Sequence, residues 1–292
     1  MSTTVDFLIG VDGGGSGCRL AIAGPDGREL IRSQGGPAGL ALGIDTAWRA
    51  ILDAIGQAFA QLGHPDWQFE HCAIGLGLAG VHHAAWAEAF AQQAPAFAAL
   101  ALRDDGVTTL LGAHHGEPGA IIAIGTGVIG QAWFGGEDYR TVSGWGFPSG
   151  DEGSGAWLGL RAVQATQKAL DGRAPFGPLS QAVLAQVGGK RESLLGWQAH
   201  ANQTTYAQLS PLVLQHGSND PTALALLSQA GSEIAAVATA LDPERRLPLA
   251  LCGGLAEALG PWLPAELRSR VQPAHGDAVA GALSLIRGVL RG

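Results

Sequence analysis

Residues 7–24 read FLIGVDGGGSGCRLAIAG, which predicts a strand, a tight turn and a second strand. Residues 7–11 are a short apolar run rich in β-forming residues, and residues 19–23 are a second such run after the turn. The glycines at positions 13, 14, 15 and 17 leave most of the turn without Cβ atoms, so its backbone amides can approach a ligand closely. We therefore predict a phosphate-binding turn, with an ordinary glycine-rich hairpin as the alternative.

One carboxylate, Asp12, stands at the end of the first predicted strand. It would face whatever the turn binds. A carboxylate beside a phosphate implies a hard divalent cation between the two negative groups. The alternative is that Asp12 caps the turn.

Composition limits the class of protein. The 292 residues suit roughly two domains of ~150 residues, and the 47% hydrophobic content can form substantial cores. The net charge of −8, without any Lys/Arg-rich segment, argues against nucleic acid and anionic membranes as partners. The uncharged span 119–136 contains six glycines, so we predict strand, turn and strand there, not a membrane helix.

Cysteine usage and the N-terminus indicate a compartment. Cys18, Cys72 and Cys252 are widely separated and form no CxxC pair, which argues against a disulfide framework and a zinc site. Only five apolar residues lie between Asp6 and Asp12, too few for the central region of a signal peptide. We expect a cytoplasmic protein.

A second glycine turn, Gly125-Thr126-Gly127, also lies between two apolar runs. Two such turns about a hundred residues apart could hold opposite sides of a triphosphate, with the hydroxyls of Ser16 and Thr126 as further donors. Gly253-Gly254 follows another predicted strand and would form a floor for a nucleotide.

Strands and helices alternate after an opening meander, twice over, which predicts two α/β domains with mixed sheets. Ligands in such folds bind at the carboxyl ends of strands.

Two acidic pairs are candidates for the chemistry. Phosphoryl transfer to an alcohol needs one carboxylate to accept the hydroxyl proton and usually another to position the metal. Asp105, after a predicted strand, and Asp12 fit these roles, although Asp104-Asp105 could also be a turn or a helix cap. Asp151 and Glu152, beside Gly150 in the loop GDEGSG, would accept hydrogen bonds from sugar hydroxyls. Their alternative role is to favour the N-terminus of the following helix.

The segment GLGLAG at 75–80 fits the GxGxxG pattern of dinucleotide-binding proteins, and Asp104 follows at a suitable distance. A dehydrogenase is therefore an alternative. It would leave the two glycine turns unexplained, so we favour close packing of helix on strand at these glycines.

Several motifs together resemble one family. VDGGGS at 11–16, the Asp105 of the DG pair, GTG at 125–127, GWGFPSGDEGSGAWLG at 144–159, LCGG at 251–254 and GDAVAGALSL at 276–285 are similar to the N-acetylglucosamine kinase and BadF/BadG/BcrA/BcrD ATPase family of actin-like sugar kinases.

The resemblance implies residue roles. The segments 12–16 (Asp12, Gly13, Gly14, Gly15, Ser16) and 125–127 (Gly125, Thr126, Gly127) would bind the phosphates of ATP and Mg²⁺, with Asp12 holding the metal through water. Asp105 would be the catalytic base and also contact the sugar, Asp151 would bind the sugar, and Gly253 and Gly254 would lie against adenosine.

The resemblance also implies an architecture of two ribonuclease H-like domains around a central cleft. They would be residues 1–113 and 114–277, with a last helix at 278–292 packing back on the first, in a homodimer. The sequence departs from the family pattern at Gly39, where an Asn often contacts sugar, at Val128, where a Ser is usual, and at Gly17-Cys18.

From these observations we expect an ATP- and Mg²⁺-dependent kinase that phosphorylates the 6-hydroxyl of N-acetylglucosamine. Glucosamine is the alternative substrate. A second alternative is the ATPase activator of an acyl-CoA dehydratase or reductase, which requires an iron–sulfur cluster held by cysteines. A third is a non-enzymatic sugar-sensing or filament-forming actin relative.

Overall fold

The structure, a computed structural model, describes residues 4–291. It divides into two compact units, residues 4–119 with 273–291 and residues 120–272. The predicted domain boundaries after residues 113 and 277 lie a few residues away and stay predictions. Residues 1–3 and 292, which belong to the predicted first domain and last helix, lie outside the described residues.

The first unit contains a five-stranded mixed sheet in the order β3-β2-β1-β4-β5. β1 is antiparallel to β2 and parallel to β4. The strands are β1 Phe7–Gly13, β2 Cys18–Ala23, β3 Glu29–Gly35, β4 Cys72–Leu78 and β5 Ala99–Arg103, and the helices are α1 Ile44–Gln61, α2 Ala84–Gln92, α3 Asp105–Ala113 and, after the second unit, α12 Ala278–Arg291.

Helices cover both faces of this sheet, which explains why β1 and β4 read as continuous apolar runs. On one face α1 buries Trp48, Ile51, Ile55 and Phe59 at helical spacing. Trp48 stacks on Phe90 of α2 and donates its Nε1–H to the Phe90 carbonyl at 3.0 Å. Burying each of these large side chains contributes about 1.5–3 kcal/mol. On the other face lies α12.

The glycines of the GxGxxG segment serve this packing. A Cβ atom on Gly75 would lie 2.0 Å from the Ala282 carbonyl oxygen of α12, and one on Gly77 would lie 1.9 Å from Thr108 Oγ1 of α3. Both glycines therefore allow a helix to lie directly on β4. The favoured explanation, close helix–strand packing, is confirmed.

The second unit repeats the strand order. Its sheet runs β10-β9-β6-β7-β8, so that β6 and β9 take the places of β1 and β4 and are parallel like them. The strands are β6 Gly119–Ile124, β7 Val128–Trp133, β8 Tyr139–Ser143, β9 Leu249–Cys252 and β10 Val271–Gln272. The prediction of two mixed sheets flanked by helices is confirmed.

Eight helices of the described chain accompany this sheet, namely α4 Gly155–Leu170, α5 Pro178–Gln186, α6 Arg191–Gln198, α7 Gln203–Ala207, α8 Ser210–His216, α9 Pro221–Leu241, α10 Ala256–Leu259 and α11 Ala265–Arg268. Of the described helices, α9 alone is long and apolar enough to cross a membrane. It buries Leu227, Ile234 and Leu241 in the core of the second unit, so it is a core helix. The uncharged span 119–136 forms β6, a turn and β7, as predicted.

Candidate active site

The turn after β1 is a rigid hairpin that faces open space. Gly14 donates its N–H to the Gly17 carbonyl at 2.9 Å, and the Gly14 carbonyl accepts from the amides of Ala38 and Gly39 at 3.0 Å each. Cβ atoms on Gly14 or Gly15 would meet nothing within 4 Å. The turn therefore has the free, glycine-lined approach that a phosphate group requires.

Gly39 supports this turn from behind. A Cβ atom there would lie 3.3 Å from the Gly14 backbone carbon, closer than side chains normally pack. A larger residue would press on this glycine turn unless the turn shifted. The glycine at position 39, where the family pattern often has Asn, thus lets the backbone lie unusually close to the turn.

Asp12 is paired with an arginine that sequence reasoning missed. Arg19 lies directly opposite Asp12 in the β1–β2 ladder. Its Nη2 and Nε donate to Asp12 Oδ2 at 2.5 Å and 3.1 Å. Counting residues outward from the turn of so short a hairpin gives its strand register, and that register predicts the pair.

The two acids after β5 have different roles. Asp104 is the N-cap of α3, because its Oδ1 accepts from the Gly106 amide at 3.0 Å. The predicted helix-cap alternative is therefore correct for Asp104. Asp105 is the first residue of the helix, and its Oδ1 also accepts from the Gly106 amide, at 3.1 Å.

Burial, and then the negative charges of Asp104 and Asp12, raise the pKa of Asp105 to about 6. A carboxylate with such a pKa is mostly ionised at neutral pH and holds a proton better than an ordinary Asp, which suits a general base. Asp12 of β1 and Arg103 of β5 both pair with Gly77 of β4, so Asp12 and the start of α3 lie at the same edge of the sheet. The predicted base and the predicted metal ligand thus belong to one cluster.

Two threonines hold the backbone of Asp105. The hydroxyls of Thr108 and Thr109 donate to the Asp105 carbonyl at 3.0 Å and 2.8 Å. Thr108 is fully buried and packs against Gly77. The first turn of α3 is therefore fixed on β4, and Asp105 with it.

This part of the first unit suits Mg²⁺ with phosphate. Residues 4–291 contain no group of three or more His, Cys, Asp or Glu side chains that could hold a metal ion by themselves. Mg²⁺ usually keeps several waters and binds one or two carboxylates together with substrate phosphates. Asp12, 17% exposed beside the open glycine turn, is a suitable carboxylate for that arrangement.

In the second unit, the glycine turn and the GDEGSG loop form one structure. Gly125 donates its N–H to the Gly127 carbonyl at 2.9 Å. The first two amides of α4, those of Gly155 and Ala156, donate to the carbonyls of Gly125 and Thr126 at 2.9 Å and 3.1 Å. The predicted phosphate turn is therefore attached to the helix that follows the predicted sugar-binding loop.

Asp151 lies between these segments. Its residue is only 4% exposed, and its backbone has a left-handed φ of 59°, which is uncommon outside glycine. Oδ1 accepts from the Gly146 amide at 3.3 Å, Oδ2 accepts from Gln203 Nε2 at 3.0 Å, and the Val128 amide also donates to the carboxylate. Burial raises the pKa of Asp151 despite these donors.

A cavity of about 310 Å³ opens beside Asp151. This volume is at the lower end of the range for small-molecule sites. Asp151 is the charged residue in a lining that is otherwise apolar or glycine and includes Gly125, Gly127, Val128, Gly144 and Gly253. The structure thus brings together the glycine turn, Asp151 and Gly253, which are far apart in sequence.

Among the other predicted residues of this unit, Gly253 also lines the cavity. Gly253, with a φ of 89°, packs so closely on β6 that a Cβ atom would lie 2.4 Å from the Ile124 carbonyl oxygen, and Gly254 faces open space. Gly150 packs against Trp145, whose side chain is 86% exposed. Glu152 is half-buried, and over residues 4–291 the cavity lining includes Asp151 but not Glu152.

The repeated strand order, with a glycine turn after the first strand of each sheet, defines the class as a protein with the actin-like ATPase fold. A ROK-family glucokinase from Streptomyces griseus has this fold, with a TM-score of 0.55 at 17% identity over 98% of this chain and 100% of its own. The chain belongs to the BadF/BadG/BcrA/BcrD ATPase family, whose model matches residues 9–279.

Two relatives are similar over nearly the whole chain. The glucosamine kinase GspK of Vibrio cholerae is 36% identical over 280 residues, which cover 96% of this chain and 95% of that protein. A crystal structure from Chromobacterium violaceum, described provisionally as an N-acetylglucosamine kinase, is 51% identical with a TM-score of 0.91, and covers 97% of this chain and 99% of its own. The predictions of the family and of an ATP-dependent sugar kinase are confirmed, and the dehydrogenase alternative is wrong.

Proposed function

We propose that the chain transfers the γ-phosphate of ATP to the 6-hydroxyl of an amino sugar. The observation that carries this proposal is that Asp105, a partly buried carboxylate, follows β5 at the same sheet edge as Asp12 and its glycine turn. Burial also raises the pKa of Asp105 to about 6. Together Asp105 and Asp12 supply a base and a metal-positioning group, which phosphoryl transfer to an alcohol requires.

Each predicted residue has a role in this reaction. The amides of Gly13, Gly14, Gly15 and Ser16 in the first unit, and those of Gly125, Thr126 and Gly127 in the second, would bind phosphate oxygens. Asp12 would hold Mg²⁺ through water, and the metal neutralises phosphate charge when bound. Asp105 accepts the proton of the sugar 6-hydroxyl as its oxygen bonds to the γ-phosphorus and ADP leaves. Asp151 accepts hydrogen bonds from the sugar, with Gly150 and Glu152 shaping the loop around it, and Gly253 and Gly254 lie against the adenosine.

We propose glucosamine as the preferred amino sugar. At neutral pH its ammonium group is largely charged, and Asp151 is a buried carboxylate whose three donors (two backbone amides and one side-chain amide) are neutral. A cationic substituent would therefore gain more from Asp151 than a neutral acetamide. The similarity to the Vibrio cholerae glucosamine kinase supports the same choice.

N-acetylglucosamine, the first expectation from the sequence, is the second candidate. The cavity lining beside Asp151 includes Ile124 and Val128, which would suit the methyl group of an acetamide. The 51% identical solved structure supports this sugar. Val128 in place of the usual serine makes that part of the lining more apolar.

A coupled assay of ADP release tests the proposal. The panel contains glucosamine, N-acetylglucosamine, glucose and muramic sugars, each with ATP and Mg²⁺, and the phosphorylated carbon is identified by NMR. We expect 6-phosphorylation and the highest kcat/KM for glucosamine. A higher kcat/KM for N-acetylglucosamine would reverse the order of the two candidates, and no turnover of either amino sugar would refute the function.

We further propose that the protein is cytoplasmic and acts as a homodimer without nucleic acid or membrane as partner. Sedimentation velocity of the purified protein, with and without ATP, tests the dimer and also separates the kinase from a filament-forming actin relative. Among the described cysteines, Cys18 and Cys72 are buried, and burial raises the pKa of both thiols. These properties argue against an iron–sulfur site, so we do not propose the activator function.

A further inference from the structure

The hydrogen bond between Gln203 and Asp151 joins the candidate sugar site to helix α7, 52 residues further along the chain. We propose that Gln203 is a positioning residue for the amino sugar, which fixes the Asp151 carboxylate in the orientation that binds substrate. This inference rests on the proposed function, in which Asp151 contacts the sugar.

The division of donors around Asp151 supports this role. Gly146 and Val128 donate backbone amides, whereas Gln203 donates a side-chain N–H to Oδ2 at 3.0 Å. A neutral donor stabilises the carboxylate without cancelling its charge, so the remaining acceptor sites stay available for a sugar hydroxyl or ammonium group. Without Gln203, Oδ2 would lose the donor that fixes the rotation of the carboxylate.

Gln203 is held rigidly enough to act in this way. It is the first residue of α7, and the preceding Asn202 caps the helix in a reciprocal capping box with Thr205. Helix α7 lies directly on α4, since a Cβ atom on Gly159 would lie 1.9 Å from the Tyr206 carbonyl oxygen. Helix α4 therefore holds both segments: its first amides bind the glycine turn at 125–127, and its side packs on α7, which begins with Gln203.

The pair of side chains also contacts the phosphate turn. A Cβ atom on Gly127 would lie 2.7 Å from Asp151 Oδ2 and 3.5 Å from Gln203 Nε2. The hydrogen bond thus occupies the space above Gly127 and fixes how far the carboxylate stands from the turn. A shift of Asp151 would move the sugar relative to the bound phosphate, and catalysis is sensitive to displacements of about 1 Å.

Two substitutions at position 203 test the inference by the size of their effects on KM for the sugar. Gln203→Met keeps the length of the side chain and removes the donor, and Gln203→Glu keeps its shape but places a second carboxylate about 3 Å from Asp151. The matched control is Gln208→Met, at the exposed C-terminal end of the same helix. Steady-state KM values for glucosamine and for ATP are measured on each preparation, because KM does not depend on the fraction of folded protein.

For Gln203→Met we expect KM for the sugar to rise roughly 10- to 100-fold, the usual result of losing one hydrogen bond to a charged group, while KM for ATP changes less than about 3-fold. Gln203→Glu should raise the sugar KM further, and Gln208→Met should leave both constants unchanged. Small and equal changes of the sugar KM in Gln203→Met and Gln203→Glu would overturn the inference, because they would mean that the side chain only packs and that its charge does not matter. Absence of sugar turnover in the wild-type protein would instead refute the proposed function itself.

Discussion

Arg19 lies directly across the β1–β2 ladder from Asp12, and two of its guanidinium nitrogens donate to the same carboxylate oxygen of Asp12, Oδ2. Asp12 is 17% exposed and Arg19 is 56% exposed, so the pair stands at the edge of the open glycine turn. The guanidinium thus balances part of the negative charge that Asp12, Asp104 and Asp105 create. It also places a group that binds phosphate well beside the predicted phosphate turn.

Replacement of Arg19 by Gln should impair nucleotide binding more than stability. We expect KM for Mg·ATP to rise about 3- to 10-fold, as for loss of one partly exposed contact to phosphate. The melting temperature should change little, because exposed ion pairs contribute at most about 1 kcal/mol. Arg28→Gln, a substitution in the turn before β3, is the control. An unchanged KM for Mg·ATP in Arg19→Gln would show that the arginine does not meet the nucleotide.

Asp105→Asn should remove the proposed base and leave the proposed sugar site intact. We expect kcat to fall by ~10²–10⁴-fold, which is about 3–5 kcal/mol of barrier, while sugar binding measured by calorimetry changes little. Asp104→Asn is a matched control, because Asn caps a helix as well as Asp does. Near-wild-type turnover in Asp105→Asn would exclude Asp105 as the base.

The pH profile of the wild-type enzyme provides a separate test of Asp105. The base must be ionised to accept a proton, and burial with the charges of Asp104 and Asp12 raises its pKa to about 6. Accordingly kcat/KM should rise with pH in an acidic limb whose midpoint lies near pH 6, and it should level off above that pH. In Asp104→Asn this limb should move to lower pH, because one of the two negative charges that raise the pKa is gone. A limb that stays in place in that variant would contradict the arrangement of charges.

The same raised pKa predicts that the base lowers the stability of the fold. Between the ordinary pKa of an aspartate and about 6, the folded protein binds more protons than the unfolded chain, so the free energy of unfolding falls as pH rises through this window. Asp105→Asn removes that cost. Its melting temperature at pH 7.5 should exceed that of the wild type by roughly 2–6 °C, and the difference should shrink towards pH 4. Equal melting temperatures at pH 7.5 would argue against a raised pKa.

Local features of the sequence predict the parts of the site that are close along the chain. The alternation of apolar runs and glycines is sufficient to predict β1, its turn and β2, because a hairpin forms between residues that are close along the chain. The same holds for Gly125–Gly127 and for Asp105 after β5. The edge strand β8 was not predicted as a strand, because Tyr139, Arg140 and Thr141 are exposed and lack the apolar alternation of a buried strand.

Contacts between distant segments were beyond such reasoning. Gln203 belongs to a short helix in a long helical region, and neither its neighbours nor its spacing indicates that it meets Asp151. Asp104 was assigned as a possible cap, but its effect on the pKa of Asp105 follows only once burial is known. The sequence therefore predicts which residue types reach the site, and tertiary packing determines how their protonation and orientation are set.

Gly127 offers a test of the link between the phosphate turn and Asp151. In Gly127→Ala the new Cβ atom would stand 2.7 Å from Asp151 Oδ2 unless the carboxylate moved. Since Asp151 is held by Gly146, Val128 and Gln203, it can move only by breaking some of these hydrogen bonds. We expect both kcat and the KM values for sugar and ATP to be impaired, with kcat/KM for the sugar falling roughly 10²-fold. Gly196→Ala is the matched control: Gly196 is an exposed residue of α6 whose Cβ would meet nothing within 4 Å, so the kinetic constants should not change. If Gly127→Ala binds the sugar as the wild type does, the turn and the carboxylate act independently.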